Sequence, residues 1–364
     1  MPARCLWTAA ACAGLLAAPA HAVAADEAGA WRVSLRSDHH SDAVELRDFD
    51  GDALRSLAPR PGRNLAYVDD ELRASHRRGD WTWSLLARSR ATLVASADAL
   101  ALIAHVEAEP AARRSAHWAT EARWRGFSGA GLEAERGFAL GGGWQARVGV
   151  QGLVLRHWRE RRIDGTVDYD AATAAYAFDL RSTQTDDRLS FPFQHGFAAR
   201  GAALLLSGEL AWQGEGWRAT LGASDVGWLR WRGVPQEQAR LSTTTQAYDA
   251  DGFVIYQPLI QGADSQGGRT RSAPARGAAS IAWQATRDAQ LIGAADWIAG
   301  FGALPRVAWQ QRWGALELGA AWRTHERRLT LSGAWRGLQI QLGADRPGSK
   351  RRSQSFGLGA GWAL

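Results

Sequence analysis

Any chemistry this chain performs must come from carboxylates and imidazoles. Asp38-His39-His40, with Asp42 two residues on, has the residue types of a metal site or of a histidine base steered by an acid. Adjacent residues on an extended strand point to opposite faces, so His39 and His40 cannot chelate one ion together without a turn. A solvated N-terminal segment is the plainer expectation. Asp48-Phe49-Asp50-Gly51-Asp52 alternates carboxylates like the opening of a calcium loop, but the remaining ligands and the closing Glu are missing. Asp69-Asp70-Glu71 and Asp186-Asp187 read as rim or lumen charges rather than acid/base pairs. No Gly-x-Ser-x-Gly elbow, His-Glu-x-x-His helix or phosphate-binding loop occurs. Both cysteines, Cys5 and Cys12, fall in an apolar leader, which leaves no thiol for a disulfide, a zinc-thiolate site or a nucleophile. The sequence therefore assigns no catalytic, metal or cofactor site, and an enzyme is not expected.

The elements that would carry these residues are strands. From Phe356 to Leu364 the even positions are Phe, Leu, Ala, Trp and Leu, and the odd positions between them are Gly, Gly, Gly and Ala. With a period of two, that segment has one greasy face and one nearly bare face, as in the closing strand of an outer-membrane barrel. Upstream, Leu338, Ile340 and Leu342 alternate with Gln339, Gln341 and Gly343, and Leu316, Leu318, Ala320 and Trp322 alternate with Glu317, Gly319, Ala321 and Arg323. Glu317, Arg323, Gln339 and Gln341 are therefore candidates for the lumen face. Asp225 and Arg230 share another strand; five residues apart they face opposite sides unless a bulge intervenes at Gly227.

These alternating segments run about 9–11 residues, the length that crosses an outer membrane when tilted. Short turns at Gly214-Glu215-Gly216, Arg287-Asp288, Gly314 and Gly337 fall on one side by parity, the periplasmic one. The tips at 325–327 and 346–351 and a long polar connection at 233–276 fall on the other. The expected fold is all-β: a transmembrane antiparallel up-and-down barrel of about 14 strands (12–16) with a short helical or plug element. The helix is expected over 96–106, where Ser96 supplies an N-cap, and its place is the lumen or the periplasmic mouth.

Residues 1–22 read as a signal peptide: a basic start, an apolar core and Ala20-His21-Ala22. Fourteen strands can be counted within 63–364, the barrel. Trp31-Val33-Leu35 would make a fifteenth, and an odd number would put one terminus outside, so 23–62 is read as a periplasmic or plug segment. The chain has 40 Gly, 19 Trp and one Met, a balance that suits strands with aromatic girdles at the membrane surfaces. The net charge of +6 is almost all arginine, scattered through strands rather than clustered, which speaks against nucleic acid as a partner.

Gly222-Ala223-Ser224-Asp225-Val226-Gly227-Trp228-Leu229-Arg230-Trp231 resembles a strand of an uncharacterised family of outer-membrane barrels, distantly similar to the long-chain fatty-acid transporters and to the barrel that shuttles type IX secretion cargo. Thr120 to His157 is similar to that family as well. The resemblance implies the fold and supplies no catalytic residue. The expected partners are membrane lipid, a small and possibly hydrophobic solute, and an outer-membrane or secreted protein. The expected role is passive transport or binding of that solute; the alternative is a non-conducting scaffold that assists secretion or surface attachment.

Overall fold

The computed structural model describes residues 30–50, 57–109, 113–189, 200–248, 254–256 and 258–363. The leader expected at 1–22 lies outside the described residues. The chain runs through β1 (Ala30–Ser41), β2 (Arg63–Arg78), β3 (Trp81–Ser96), helix α1 (Ala97–Glu107), β4 (Ala116–Gly141), β5 (Trp144–Asp170), β6 (Ala175–Asp186), β7 (Arg200–Gly214) and β8 (Trp217–Ser242). A small ribbon of β9 (Gln246–Tyr248) and β10 (Val254–Tyr256) follows. Then come β11 (Ile260–Ser272), β12 (Arg276–Gln284), β13 (Ala289–Ile298), β14 (Gly302–Trp313), β15 (Leu316–Arg323), β16 (Arg328–Trp335), β17 (Leu338–Ala344) and β18 (Ser353–Ala363).

Apart from the ribbon, every strand joins one antiparallel sheet, and β1 closes it by pairing with β18 on one side and β2 on the other. The sheet has 16 segments but 14 staves. One stave is β6 followed by β7, both running down the side of β5. The other is β11 followed by β12, both running along β8 and interrupted at Ala273-Pro274-Ala275. Proline has no N–H to give to a ladder, which is why the strand breaks there.

This corrects the placement of residues 30–41, read from the sequence as part of a periplasmic or plug segment at 23–62. Trp31, Val33 and Leu35 belong to a barrel stave, and Arg32, Ser34, Arg36, Asp38 and His40 line its inner face. The parity argument fails because two pairs of segments each count once around the ring. The polar connection 233–276 is also mostly strand: β8 runs on to Ser242 and β11 begins at Ile260. Its Gln- and Gly-rich composition masks the alternation.

Six short turns, from 79–80 to 336–337, lie at the end that holds Ala30 and Ala363. The connections that follow β1, β3, β8, β15 and β17 start from the other end. There β4, β5, β6, β8 and β11 continue past the ring as a five-stranded extension. The helix matches its expected span, with the Ser96 hydroxyl accepting from Ala99 N at 3.1 Å. It sits at this loop end, and Leu100 packs on Ala43, Ala95 and Ala122. Ala95 and Ala122 share strand parity with Leu85 and Leu132, so α1 lies against the outer face and not in the lumen.

Candidate functional site: the lumen

Side chains sort by parity into an outer and an inner set. Leu85, Leu132 and Val154 point outward and are 62, 65 and 74% exposed. At the short-turn end the outward positions carry Trp31, Trp81, Trp83, Trp144, Trp217, Trp283, Trp313, Trp335 and Trp362; toward the loop end they carry Trp228, Trp297 and Trp322. Burying one such side chain is worth about 1.5–3 kcal/mol, so a whole ring of them exposed to water would be untenable. An apolar band between two aromatic girdles on a closed sheet is the surface that lipid covers. The protein is an outer-membrane β-barrel. No helix among the described residues is long and apolar enough to cross a membrane.

Arginines and carboxylates bridge the lumen. The register of β7 with β8 shifts between Leu206 and Gly208, opposite Asp225, whose φ is 59°. This bulge turns the Asp225 carboxylate inward, where it accepts from Arg88 at 2.8 and 3.2 Å and also meets Arg90. Arg88 reaches Gln151 at 2.9 Å, and Gln151 donates to Glu133 at 2.7 Å. Asp69 on β2 takes Arg90 at 3.0 Å, Arg36 at 3.5 Å and Arg276 at 2.6 Å. Arg276 stands on β12, six staves away, so this last pair crosses the barrel. Nearer the loops, Asp38 holds Arg328 at 2.6 Å and Arg323 at 3.6 Å. The Tyr67 hydroxyl lies 2.6 Å from Glu326 and 3.1 Å from Asp38. Leu65 and Tyr67 from β2 pack on Ile298 and Leu304 from the opposing wall. Desolvation makes such pairs weak sources of net stability; their effect here is to fix the shape of the interior.

Among the described residues, this packing leaves cavities, two of which stand out. One, of about 280 Å³, is lined by Arg36, Asp38, Asp69, Arg90, Arg276 and Arg323 together with Glu209, Ser207 and glycines of β8 and β12. The other, of about 180 Å³, lies closer to the loops.

The candidates from the sequence separate cleanly. Asp225 and Arg323 are members of the ionic network, on different carboxylate–guanidinium clusters. Glu317, 3.9 Å from Arg312, and Gln339 and Gln341 are half-buried on the lumen side near the short-turn end. Arg230 is exposed on the outer face, because the bulge falls at Asp225 and not between it and Arg230. Sequence reasoning missed Arg36, Arg88, Arg90, Arg276 and Arg328; it read Asp69 as a rim or lumen charge, and it placed Asp38 in a solvated segment, whereas Asp38 is buried in the lumen network. Their signal was parity: each occupies the face opposite the outward Trp and Leu of its own strand.

His39 and His40 face opposite sides as expected. His39 contacts Asp70 at 3.0 Å on the outer face, and His40 is fully buried 3.0 Å from Asp42. Asp42 also meets His325 at 3.0 Å, Arg60 at 2.6 Å and the Leu65 N–H at 2.8 Å. The ligand atoms of His40, Asp42 and His325 lie within 4.8 Å of one another, as a metal would need. Two observations oppose that use. Arg60 already sits where a cation would, and the buried His40 Nδ1 has no acceptor behind it, whereas a metal-bound imidazole needs one. The cluster is a latch that joins the exit of β1 to the β15–β16 tip. Burial pushes the Asp42 carboxyl up, but hydrogen bonds from His325, His40 and Leu65 N–H outweigh it and hold it well below the usual carboxylate range. Only the start of the calcium-like run can be followed: Leu46–Asp50 is a single 3-10 turn, in which Arg47 lies 2.8 Å from Glu45.

No protein-family model and no curated protein matches the chain. Among solved structures it is similar to a TodX monoaromatic hydrocarbon channel mutant at 8% identity, covering 92% of this chain and 89% of that one with a TM-score of 0.37. It is also similar to the toluene transporter TodX of Pseudomonas putida (9%, 93% and 89%, TM-score 0.32) and to the translocator domain of the autotransporter NalP from Neisseria meningitidis (10%, 93% and 90%, TM-score 0.31). At these values the likeness is one of barrel to barrel, and the closed sheet itself carries the fold.

Proposed function

We propose that the barrel binds a small solute in its lumen and passes it across the outer membrane without energy input. The protein reaches that membrane through the leader expected at 1–22. The observation that carries this reading is the pair of lumen cavities that adjoin at Arg276 and Ile298, residues that line both. A constriction made of side chains can yield by rotamer change, on a far faster scale than refolding of a wall. The polar lining shifts the expected solute away from a purely hydrophobic one. No enzymatic step is part of this reading.

One feature favours the scaffold alternative. The extension of β4, β5, β6, β8 and β11 projects past the ring, and β11, exposed along nearly its whole length, pairs only with β8 among the described residues. An unpaired edge is a template for another strand. Liposome flux separates the two readings. Solute-dependent swelling of vesicles that hold the purified barrel supports transport. Impermeable vesicles, with a protein partner recovered in equal amount from intact outer membranes, support the scaffold.

A further inference from the structure

The two cavities differ in charge. Around the larger, five arginines face five carboxylates. Around the smaller, at the loop end of the lumen, Arg63, Arg123, Arg125 and Arg276 face Glu121 alone. Neighbouring anions do not restore the balance. Glu160 is shared by Arg123 at 3.6 Å, Arg125 at 3.3 Å and Arg271 at 3.4 Å. Asp69, which holds Arg276, is shared with Arg36 and Arg90. Two guanidinium nitrogens of the lining residues, Arg123 Nε and Arg276 Nη2, are shielded from solvent and have no hydrogen-bond partner. Thr92, buried in the same wall, adds a hydroxyl. A buried donor left unmade is costly, and a cleft of one sign concentrates counter-ions.

We propose that this cavity is a binding site for a small soluble oxyanion of two or more charges, such as phosphate or a phosphate monoester, held by Arg123, Arg125 and Arg276. A water needs about 10–15 Å³ of such space, so 180 Å³ accommodates a tetrahedral oxyanion with several waters still around it. Guanidinium forks match oxyanion geometry, and the unpartnered nitrogens supply donors that no protein acceptor satisfies. The site stands whether or not a solute crosses the barrel.

Calorimetric titration of the full barrel in a nonionic detergent, with inorganic phosphate as the probe, tests this without a competing lipid headgroup. Saturable binding of one equivalent is expected, competed by sulfate and unaffected by choline. In the variant Arg123→Gln/Arg125→Gln, whose side chains are partly exposed, affinity should fall at least tenfold while unheated gel mobility stays that of the folded barrel. Arg346→Gln, on the distant β17–β18 tip, should bind like wild type. Absence of saturable binding up to about 10 mM, a weak interaction by any scale, overturns the proposal. So does an equal loss in Arg346→Gln, which would show general surface attraction only.

Discussion

Replacing Asp225 by Asn removes one charge from the lumen and leaves its shape. Asn tolerates the left-handed backbone that the φ of 59° requires, so the bulge in β8 should survive. What disappears is the anion that Arg88 and Arg90 share, in a place where all three side chains are at most 7% exposed. Neutralising one member of a buried ion pair costs about 3–5 kcal/mol, because the partner charge stays buried. Arg90 keeps Asp69 and Arg88 keeps Gln151, so the low end is expected, about 3 kcal/mol or roughly a hundredfold in the folding equilibrium. Urea titration of the folded barrel, followed by tryptophan fluorescence and by gel mobility, measures it. Adding Arg88→Gln should recover a large part of the loss, since that double variant orphans one charge fewer. A loss below about 1 kcal/mol, or full additivity of the two changes, would refute the view that these residues form a closed electrostatic unit.

Asp42 gives a pH signature. Its carboxyl is held low in the folded state, so its contribution is complete above the ordinary carboxylate value and fades as pH falls below it; Asp42→Asn should flatten the acid limb of stability between about pH 4 and 2. Leu331→Arg places a cation in the outward band at a position 56% exposed and should cost about 2–4 kcal/mol of folding in vesicles, against little change for an equivalent substitution at exposed Leu259 among the loops. Gly131→Ala would bring a Cβ within 1.9 Å of the Gly152 carbonyl oxygen, while at Gly137 nothing lies within 4 Å. The first should lower the yield of folded barrel on unheated gels and the second should not.

The barrel was legible because half of every stave must satisfy lipid, and a period-two stripe of Trp and Leu is hard to disguise. Where that demand lapses, so did legibility. β11 and the upper half of β8 stand clear of the ring, lack the stripe and read as a loop. The first strand was recognisable from Trp31, Val33 and Leu35, but the strand count displaced it, since nothing in the sequence says that β6 and β7 share a stave. Asp225 was picked out, yet its partners Arg88 and Arg90 lie more than 130 residues earlier, and only closure of the ring brings them together. The inner face of β18 looked bare in the sequence. In the folded barrel Ser353, Ser355, Gly357 and Gly359 are buried, so the wall is covered, with Arg328 lying on Ser353 at 3.2 Å.

The central claim is a closed ring in which residues 30–41 are a stave and not a plug. Deleting those residues tests it, with compact migration on unheated gels and vesicle permeability as readouts. Closure through β1 predicts that the compact band disappears and no folded barrel is recovered. A compact, folded barrel with raised permeability would show a removable plug instead, and would contradict the structure at its seam.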